Sequence, residues 1–257
     1  FLRGHRNYVV TGTHGKTTTT SMLTWLMEDN ALNPSFMIGG IARNLGRGGR
    51  FTDSDFCVLE GDEYDTAFFD KRSKFLHYLP EAVVINNIEM DHADIYANVE
   101  EIKLSFKRLL RIVPRNGIVF INADCPNCAD VRAHAAEELR MVRLVSVGMG
   151  ENADIRIGNI DLQPDGSVFT LAGMSEEAFG FSGESFKVPM VGDFNIRNAA
   201  MALCAAHFAG LSCEQMGASL KQFQGVARRQ EVRGCVNGVT VVDDFAHHPT
   251  AIKQAIE

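Results

Sequence analysis

Thr11-Gly12-Thr13-His14-Gly15-Lys16-Thr17-Thr18-Thr19-Thr20 is the stretch around which this chain is organised. Ahead of it Tyr8-Val9-Val10 reads as a buried strand, and behind it Met22, Leu23, Leu26 and Met27 recur at helical spacing. A strand feeding a glycine-containing turn that opens a helix is the geometry that binds phosphate. Its backbone N–H groups converge on the anion, and the helix N-terminus adds positive partial charge. Gly12, Thr13, His14, Gly15 and Thr18 would supply the cradle. Lys16 would reach the terminal phosphates, and the Thr17 hydroxyl would sit on a bound Mg²⁺. Four consecutive threonines are poor helix formers, so local propensity does not account for them. The usual phosphate loop has a glycine five residues before Gly15, where this chain has Val10; its nearest glycine is Gly12. The loop is a shortened variant, and the plainer alternative is a Gly-Lys-Thr that caps an ordinary helix. With the strand and helix in place, we read a nucleotide phosphate site, with Lys16 expected to be exposed in the empty loop.

The remaining elements follow from that unit. Candidate strands at Tyr8–Thr11, Phe56–Leu59, Ala82–Asn86, Gly117–Asn122 and Met141–Val147 alternate with helices near Lys16–Asp29, Asn98–Ile112 and Asn127–Leu139. The expected fold class is α/β: a P-loop-type, mostly parallel sheet flanked by helices. After Gly148 the texture changes to short strands at Ala153–Leu162, Ser167–Ala172 and Phe186–Val191, separated by turns such as Pro164-Asp165-Gly166. They predict a small antiparallel β-subregion attached to the sheet. Helices at Ile196–Ala209 and Cys213–Gln222 follow. Glu231–Val236 and Val239–Val242, joined at Asn237-Gly238, then read as a hairpin.

Two more strand ends carry acids. Phe56-Cys57-Val58-Leu59-Glu60 is an apolar run ending in a carboxylate, followed by Asp62, Glu63 and Asp65. Beside a phosphate loop, the carboxyl edge of a parallel sheet is where a Mg²⁺-organising acid belongs; a solvated acidic turn is the alternative. Ala82-Val83-Val84-Ile85-Asn86-Asn87-Ile88-Glu89-Met90-Asp91-His92-Ala93-Asp94 repeats the arrangement. There His92 with Asp91 and Asp94 is either a second metal site or a structural histidine. Glu60 and His92 are expected to face Lys16 across one cleft. Further on come Gly192-Asp193-Phe194-Asn195-Ile196-Arg197-Asn198 and Gly225-Val226-Ala227-Arg228-Arg229-Gln230-Glu231, where asparagine amides suit an adenine edge and arginines suit phosphate or carboxylate. Each is equally readable as a helix cap or a surface loop.

The chain has 257 residues, 46% hydrophobic and 22% charged, with a net charge of −7. That balance describes an ordinary globular protein and argues against a nucleic-acid partner, which needs a basic face. No apolar run approaches the length of a membrane span, and no signal peptide opens the sequence. Six cysteines are scattered without a framework. The pair in Cys125-Pro126-Asn127-Cys128 reads as a loop entering a helix, with a redox or zinc role as the alternative. These features predict a reduced, cytoplasmic protein.

In order along the chain, T-G-T-H-G-K-T-T-T, E-G-D-E, N-N-I-E-x-D-H, G-D-F-N-I-R-N, R-R-Q-E and D-D-F-A-H-H-P-T resemble the Mur ligase family, the ATP-dependent amide ligases of bacterial cell-wall synthesis. The segment from Glu60 to Phe75 most resembles the branch of peptidoglycan recycling, which joins UDP-N-acetylmuramate to the murein tripeptide L-alanyl-γ-D-glutamyl-meso-diaminopimelate. The alanine-adding branch usually has a shorter segment there, and a Tyr in place of Phe245. The resemblance implies a UDP-sugar domain, a central ATPase domain and a C-terminal domain. Here residues 1–226 would be the central domain and 227–257 the truncated start of the last. Both ends look cut on this reading, so the tail is expected to dock irregularly or move, and the fragment alone to be inactive. Carried over, Lys16 would hold the β/γ-phosphates, Thr17 and Glu60 one Mg²⁺, and His92 a second. Asn195 would face the adenine, Arg229 and Asp244 would approach ATP from the last domain, and His247 would lie near the incoming amine. Phe194 stands where relatives often have His. Lys107 lies at the spacing where some relatives carry a carbamylated lysine, and is expected to be a surface residue in this branch. The rivals are the alanine-adding ligase, a small-molecule kinase on the same loop, and a binding-only domain. A GTPase is disfavoured because neither Asp-x-x-Gly nor Asn-Lys-x-Asp occurs.

Overall fold

The computed structural model describes residues 1–92, 94–138, 142–173 and 179–256. Its strands are β1 (Arg6–Thr11), β2 (Ser35–Met37), β3 (Gly49–Arg50), β4 (Phe56–Glu60), β5 (Asp65–Ala67), β6 (Asp70–Ser73), β7 (Pro80–Ile85), β8 (Ile118–Asn122), β9 (Arg143–Gly148), β10 (Ile155–Gln163), β11 (Gly166–Gly173), β12 (Phe181–Val188), β13 (Glu231–Val236) and β14 (Val239–Asp243). Its helices are α1 (Lys16–Asp29), α2 (Val99–Arg111), α3 (Pro126–Glu138), α4 (Asp193–Phe208), α5 (Cys213–Leu220) and α6 (Pro249–Ile256).

The large sheet runs β12-β11-β10-β9-β8-β7-β1-β4-β2-β3. From β10 to β2 neighbouring strands are parallel, while β3 at one edge and β11 and β12 at the other are antiparallel. The expected mostly parallel sheet with an attached antiparallel subregion is what forms. Side chains alternate across it, as a strand's two-residue period requires. Tyr8, Val10, Val58, Val84 and Phe120 enter one core with residues of α1, α4 and α5. Val9, Leu59, Val83, Ile85, Val119 and Ile121 enter the other with Ile102, Phe106 and Leu109 of α2 and Val131 of α3. With both faces covered, the central strands can be continuously apolar, and that made them legible.

Between β1 and β4 the chain packs α1 on one face. After β4 it returns to the other side of β1, where β7 pairs. Strand order therefore reverses around β1, and the carboxyl ends of β4, β1 and β7 open into a crevice of the kind that binds ligands in open α/β sheets. α1 is buried almost all round, which explains its threonines. Thr20 and Thr24 donate to the carbonyls of Lys16 and Thr20, both at 2.7 Å, and Thr19 donates to Asn198 Oδ1 at 3.2 Å while accepting from Asn86 at 2.9 Å.

Several elements differ from expectation. β2 and β3 were not foreseen, because each is only two or three residues long and flanked by Pro34 or glycines. The β5–β6 hairpin is built from charged residues, with Lys71–Asp65 at 2.6 Å across the strands and Phe68 and Phe69 exposed at its tip. β12 begins earlier than predicted. Leu139 and Met141, the predicted boundaries of a helix and a strand, lie outside the described residues. β13 and β14 form a separate two-stranded sheet with mostly exposed side chains. The residues around it are nonetheless tied down through polar contacts: Arg43–Glu231 at 2.7 Å, Thr250 to Glu89 at 2.7 Å and His248 to the Met90 carbonyl at 3.0 Å. Among the described residues no helix is long and apolar enough to cross a membrane.

Candidate active site

The turn after β1 is shaped by its glycines. Gly12 has φ +126° and Gly15 +80°; a Cβ on Gly12 would lie 2.9 Å from the Asn87 backbone, and one on Gly15 would lie 2.4 Å from Asn198 Oδ1. Both demand glycine. The loop is fastened to the segment after β7. Thr13 N–H donates to the Asn87 carbonyl at 3.1 Å, His14 N–H to Asn87 Oδ1 at 2.7 Å, and Glu89 N–H to Thr13 Oγ1 at 2.9 Å. Gly15 caps α1, and the Thr19 N–H closes the first turn on its carbonyl at 2.9 Å.

Lys16 is not the exposed side chain that an open loop suggests. Only 15% of its side chain is exposed, and its ammonium donates to both carboxylate oxygens of Glu63, at 3.1 and 2.8 Å. Glu63 is 1% exposed, held in place by the Tyr96 hydroxyl on its backbone carbonyl at 2.6 Å, and its Oε1 lies 3.4 Å from His92 Nε2. Burial pushes the Glu63 carboxyl up, but the charge of Lys16 and hydrogen bonds from His92 and Lys16 outweigh it and hold the group below the usual carboxylate range. The same hydrogen bond, donated by His92 to the Glu63 carboxylate, raises His92. His92 adopts φ +54°, a left-handed backbone uncommon for a non-glycine residue, which aims its ring at this carboxylate. The sequence placed Glu63 among the acids after β4 without assigning it a role. Its partners, from α1 and the loop after β7, make it central.

Glu60, at the end of β4, accepts from the Thr17 hydroxyl at 2.9 Å and from Gly39 N–H at 2.6 Å. Arg229 Nη2 lies 3.5 Å from the same Thr17 oxygen. Asp62, Glu63 and His92 each offer a ligand atom within 4.8 Å of the others. Carboxylate and hydroxyl oxygens at this density suit a hard divalent cation such as Mg²⁺. Of the predicted second cluster, Asp91 lies 3.8 Å from His92 Nε2, whereas the Asp94 carboxylate accepts from Tyr64. His14, Glu89 and His248 converge similarly, with His14 Nε2 3.3 Å from Glu89 and its ring 4.3 Å from that of His248. Burial lowers the His14 pKa more than Glu89 raises it, so this imidazole favours its neutral form.

Two clefts meet at this turn. One, of about 320 Å³, is walled by Gly15, Thr17, Thr18, Asn86, Phe194, Asn195, Met201, Asp244 and Arg229. Asn195 is 1% exposed, and its amide donates to the Val191 carbonyl at 2.8 Å and Gln230 Oε1 at 2.9 Å. Asp244 accepts from the N–H groups of Gln230 and Ala246, both at 2.7 Å, and so pins the segment bearing Arg229. The other cleft collects Lys16, Glu60, Asp62, Lys74, His92, Phe245 and His247. His14, Gly15, Thr17 and Arg229 line both. Lys16, Glu60 and His92 thus face a common space, as do Asn195, Arg229 and Asp244. His247 is exposed in the second cleft, its ring 3.0 Å from the Phe245 carbonyl and edge-on to the Phe245 ring. Phe194 sits beside Asn195 as an apolar wall. Lys107 is half-buried on α2 and lines neither cleft. Residues whose roles became visible only in three dimensions are Glu63, Asn86, Asn87, Asn198 and Gln230. Of these, the asparagines after β7 and the acid after Asp62 showed as polar residues at strand ends, and Asn198 and Gln230 only as members of the G-D-F-N-I-R-N and R-R-Q-E runs.

Comparison with known proteins adds an independent line. The Mur ligase middle domain matches residues 10–206. A UDP-N-acetylmuramate–L-alanyl-gamma-D-glutamyl-meso-2,6-diaminoheptandioate ligase of Haemophilus influenzae is 41% identical over 254 residues, 98% of this chain and 52% of its own length. A UDP-N-acetylmuramate–L-alanine ligase of Clostridium acetobutylicum is 35% identical over 258 residues, 100% of this chain and 52% of its own. The crystal structure of a UDP-N-acetylmuramate:L-alanyl-gamma-D-glutamyl-meso-diaminopimelate ligase from Neisseria meningitides matches with a TM-score of 0.76 at 35% identity, covering 88% of this chain and 68% of that one. The chain spans about half the length of the curated relatives it matches.

Proposed function

We propose, since this chain belongs to the Mur ligase family, that it is the ATP-binding part of an amide ligase joining UDP-N-acetylmuramate to the murein tripeptide in peptidoglycan recycling. Residues 1–226 would form the central ATP-binding domain and 227–257 the opening of the C-terminal ligase domain, consistent with β13 and β14 standing apart from the large sheet. The cytoplasm, where ATP is available, is the expected site of action.

The observation that carries this reading is the pair of clefts sharing one phosphate turn. A nucleoside in the cleft of Asn195 and Asp244 would extend its phosphates over Gly12–Lys16, and its γ-phosphate would emerge into the acid-lined cleft of Glu60 and His92. A carboxylate is a poor electrophile. Transfer of the γ-phosphoryl group to the lactyl carboxylate would give an acyl phosphate, attack by the amine would form the amide, and phosphate would leave. Lys16, released from Glu63, would follow the negative charge onto the transferring group. Thr17 and Glu60 would hold one Mg²⁺, with Asp62, Glu63 and His92 around a second; these ions would supply charge neutralisation. Arg229, within reach of Thr17, would close the site from the opposite wall, and His247 would stand where the amine enters. Asn195, already ordered by Gln230, would present its amide edge to the adenine.

The test is phosphate release by the full-length polypeptide with ATP, Mg²⁺ and UDP-N-acetylmuramate, comparing tripeptide with L-alanine. Faster release with tripeptide supports the proposal. Preference for L-alanine would assign the chain to the alanine-adding reaction, and a stable phosphorylated product with no phosphate release and no amide would favour a kinase.

A further inference from the structure

Cys125 and Cys128 are left unused by this chemistry, although Cys125 forms part of the wall of the nucleotide cleft. β8 ends at Asn122, and the chain turns through Cys125-Pro126-Asn127-Cys128 into α3, with the Cys125 carbonyl accepting the Ala129 N–H at 3.0 Å. Cys125 is therefore the cap of a helix, and Cys128 lies one turn inside it. A Cys-x-x-Cys at a helix N-terminus after a parallel strand is the arrangement that makes the first thiol a nucleophile and the second its resolving partner. Access differs in the required sense: Cys125 is 9% exposed and reaches the cleft, whereas Cys128 is 0% exposed. Both are free thiols.

The surroundings favour the same division of labour. The Ile88 N–H donates to Cys125 Sγ at 3.4 Å. The Cys128 thiol, opposed by burial and aided by the N–H groups of Ile88, Cys128 and Asn127, brings Cys125 down to about 6. Burial raises Cys128 well above the ordinary thiol value, so it keeps its proton.

We propose that Cys125 and Cys128 are a redox-active dithiol in the wall of the nucleotide cleft that exchanges with small-molecule disulfides, and that nucleotide binding and disulfide formation each weaken the other. In the first step the Cys125 thiolate attacks one sulfur of R–S–S–R, forming a mixed disulfide and expelling RS⁻. In the second, Cys128 passes its proton to a thiolate and attacks Cys125 Sγ, expelling the second RS⁻. Two cysteine thiols are oxidised to one disulfide, and one R–S–S–R is reduced to two RSH.

The coupling runs over a short path. Ile88 sits between Asn87 and Glu89, the residues that fasten Thr13 and His14 of the phosphate turn at 2.7 to 3.1 Å. Asn127 reinforces the link by donating to the Ile88 carbonyl at 2.8 Å. Converting Cys125 Sγ from thiolate to disulfide sulfur weakens the acceptor for the Ile88 N–H and moves the wall of the cleft. A bound nucleotide covers the same sulfur. By reciprocity, whatever the disulfide costs the nucleotide, the nucleotide costs the disulfide. This second half rests on the nucleotide reading above; the dithiol assignment does not.

The test treats the reduced chain with oxidised glutathione, with and without saturating ADP, and maps all cysteines by mass spectrometry. The expected product is a Cys125–Cys128 disulfide, and Cys128→Ser should stop the reaction at a Cys125–glutathione adduct. ADP should slow the reaction about tenfold, and the oxidised chain should bind ADP about tenfold more weakly. Glutathione on the exposed Cys235 with none on Cys125, and no internal disulfide, overturns the dithiol assignment. Equal rates with and without ADP, where calorimetry shows ADP bound to the reduced chain, overturn the coupling. A reduced chain that binds no ADP overturns the nucleotide reading, and the exchange products still decide the dithiol.

Discussion

Replacing Glu63 with Gln tests the site at its most constrained point. The substitution keeps shape but removes the charge that faces Lys16 at 2.8 Å and His92 at 3.4 Å, from a residue 1% exposed. Breaking one partner of a buried ion pair typically costs about 3–5 kcal/mol, because the other charge is left uncompensated. Lys16 retains 15% side-chain exposure and borders an open cleft, so it can turn toward water. The expected loss is therefore at the bottom of that range, about 3 kcal/mol. The pH dependence has a defined sign. Glu63 is held below its ordinary value of 4.5, so its contribution is complete above that pH and lost as pH falls through the lower folded value. His92 is raised above 6.5, so its contribution is complete below that pH and lost as pH rises through the raised value. Glu63→Gln should remove most of both slopes. Nucleotide affinity measured without Mg²⁺ should not fall with stability, because Lys16 no longer has to leave a carboxylate to meet phosphate. Urea unfolding across pH, with ADP titration of the same samples, reads all of this. A variant as stable as the parent, with the same pH profile, would refute the buried cluster.

Gly15→Ala should lose about 1–3 kcal/mol of stability by urea unfolding, together with most nucleotide affinity, because φ +80° and a 2.4 Å approach to Asn198 leave no room for a Cβ. Tyr96→Phe removes the hydroxyl that donates to the Glu63 carbonyl at 2.6 Å and should cost about 1–2 kcal/mol in the same assay, less than Glu63→Gln. Phe106→Ala, at a 0% exposed position between α2 and the sheet, should cost about 3–5 kcal/mol without altering nucleotide contacts in the protein that remains folded.

The turn after β1 was legible because three local signals agreed: an apolar strand, glycines where the backbone takes positive φ, and a helix beginning at Lys16. β7 and β8 were legible because burial on both faces leaves an unbroken apolar run. β5 and β6 were not, since Asp65, Asp70, Lys71 and Arg72 carry no alternation; Lys71 pairs with Asp65 across the hairpin and Arg72 with Asp70 along β6. The exposure expected of Lys16 was wrong for a related reason. Its carboxylate partner lies 47 residues away in sequence, and nothing near either residue announces that the fold will bury one against the other. Residues 227–257, expected to dock irregularly or move, are held at scattered polar contacts. β13 and β14 have mostly exposed side chains, while Gln230 meets Asn195, His248 the Met90 carbonyl and Thr250 the Glu89 carboxylate.

The claim on which everything else depends is that the turn from Gly12 to Thr17 binds nucleotide phosphates through Lys16. Calorimetric titration of the chain and its Lys16→Ala variant with ATP and Mg²⁺ tests it most directly, with circular dichroism to confirm that both remain folded. The parent should bind with a dissociation constant on the order of tens of micromolar to a millimolar, and the variant should lose most of that affinity. Equal binding by the two folded proteins would contradict it.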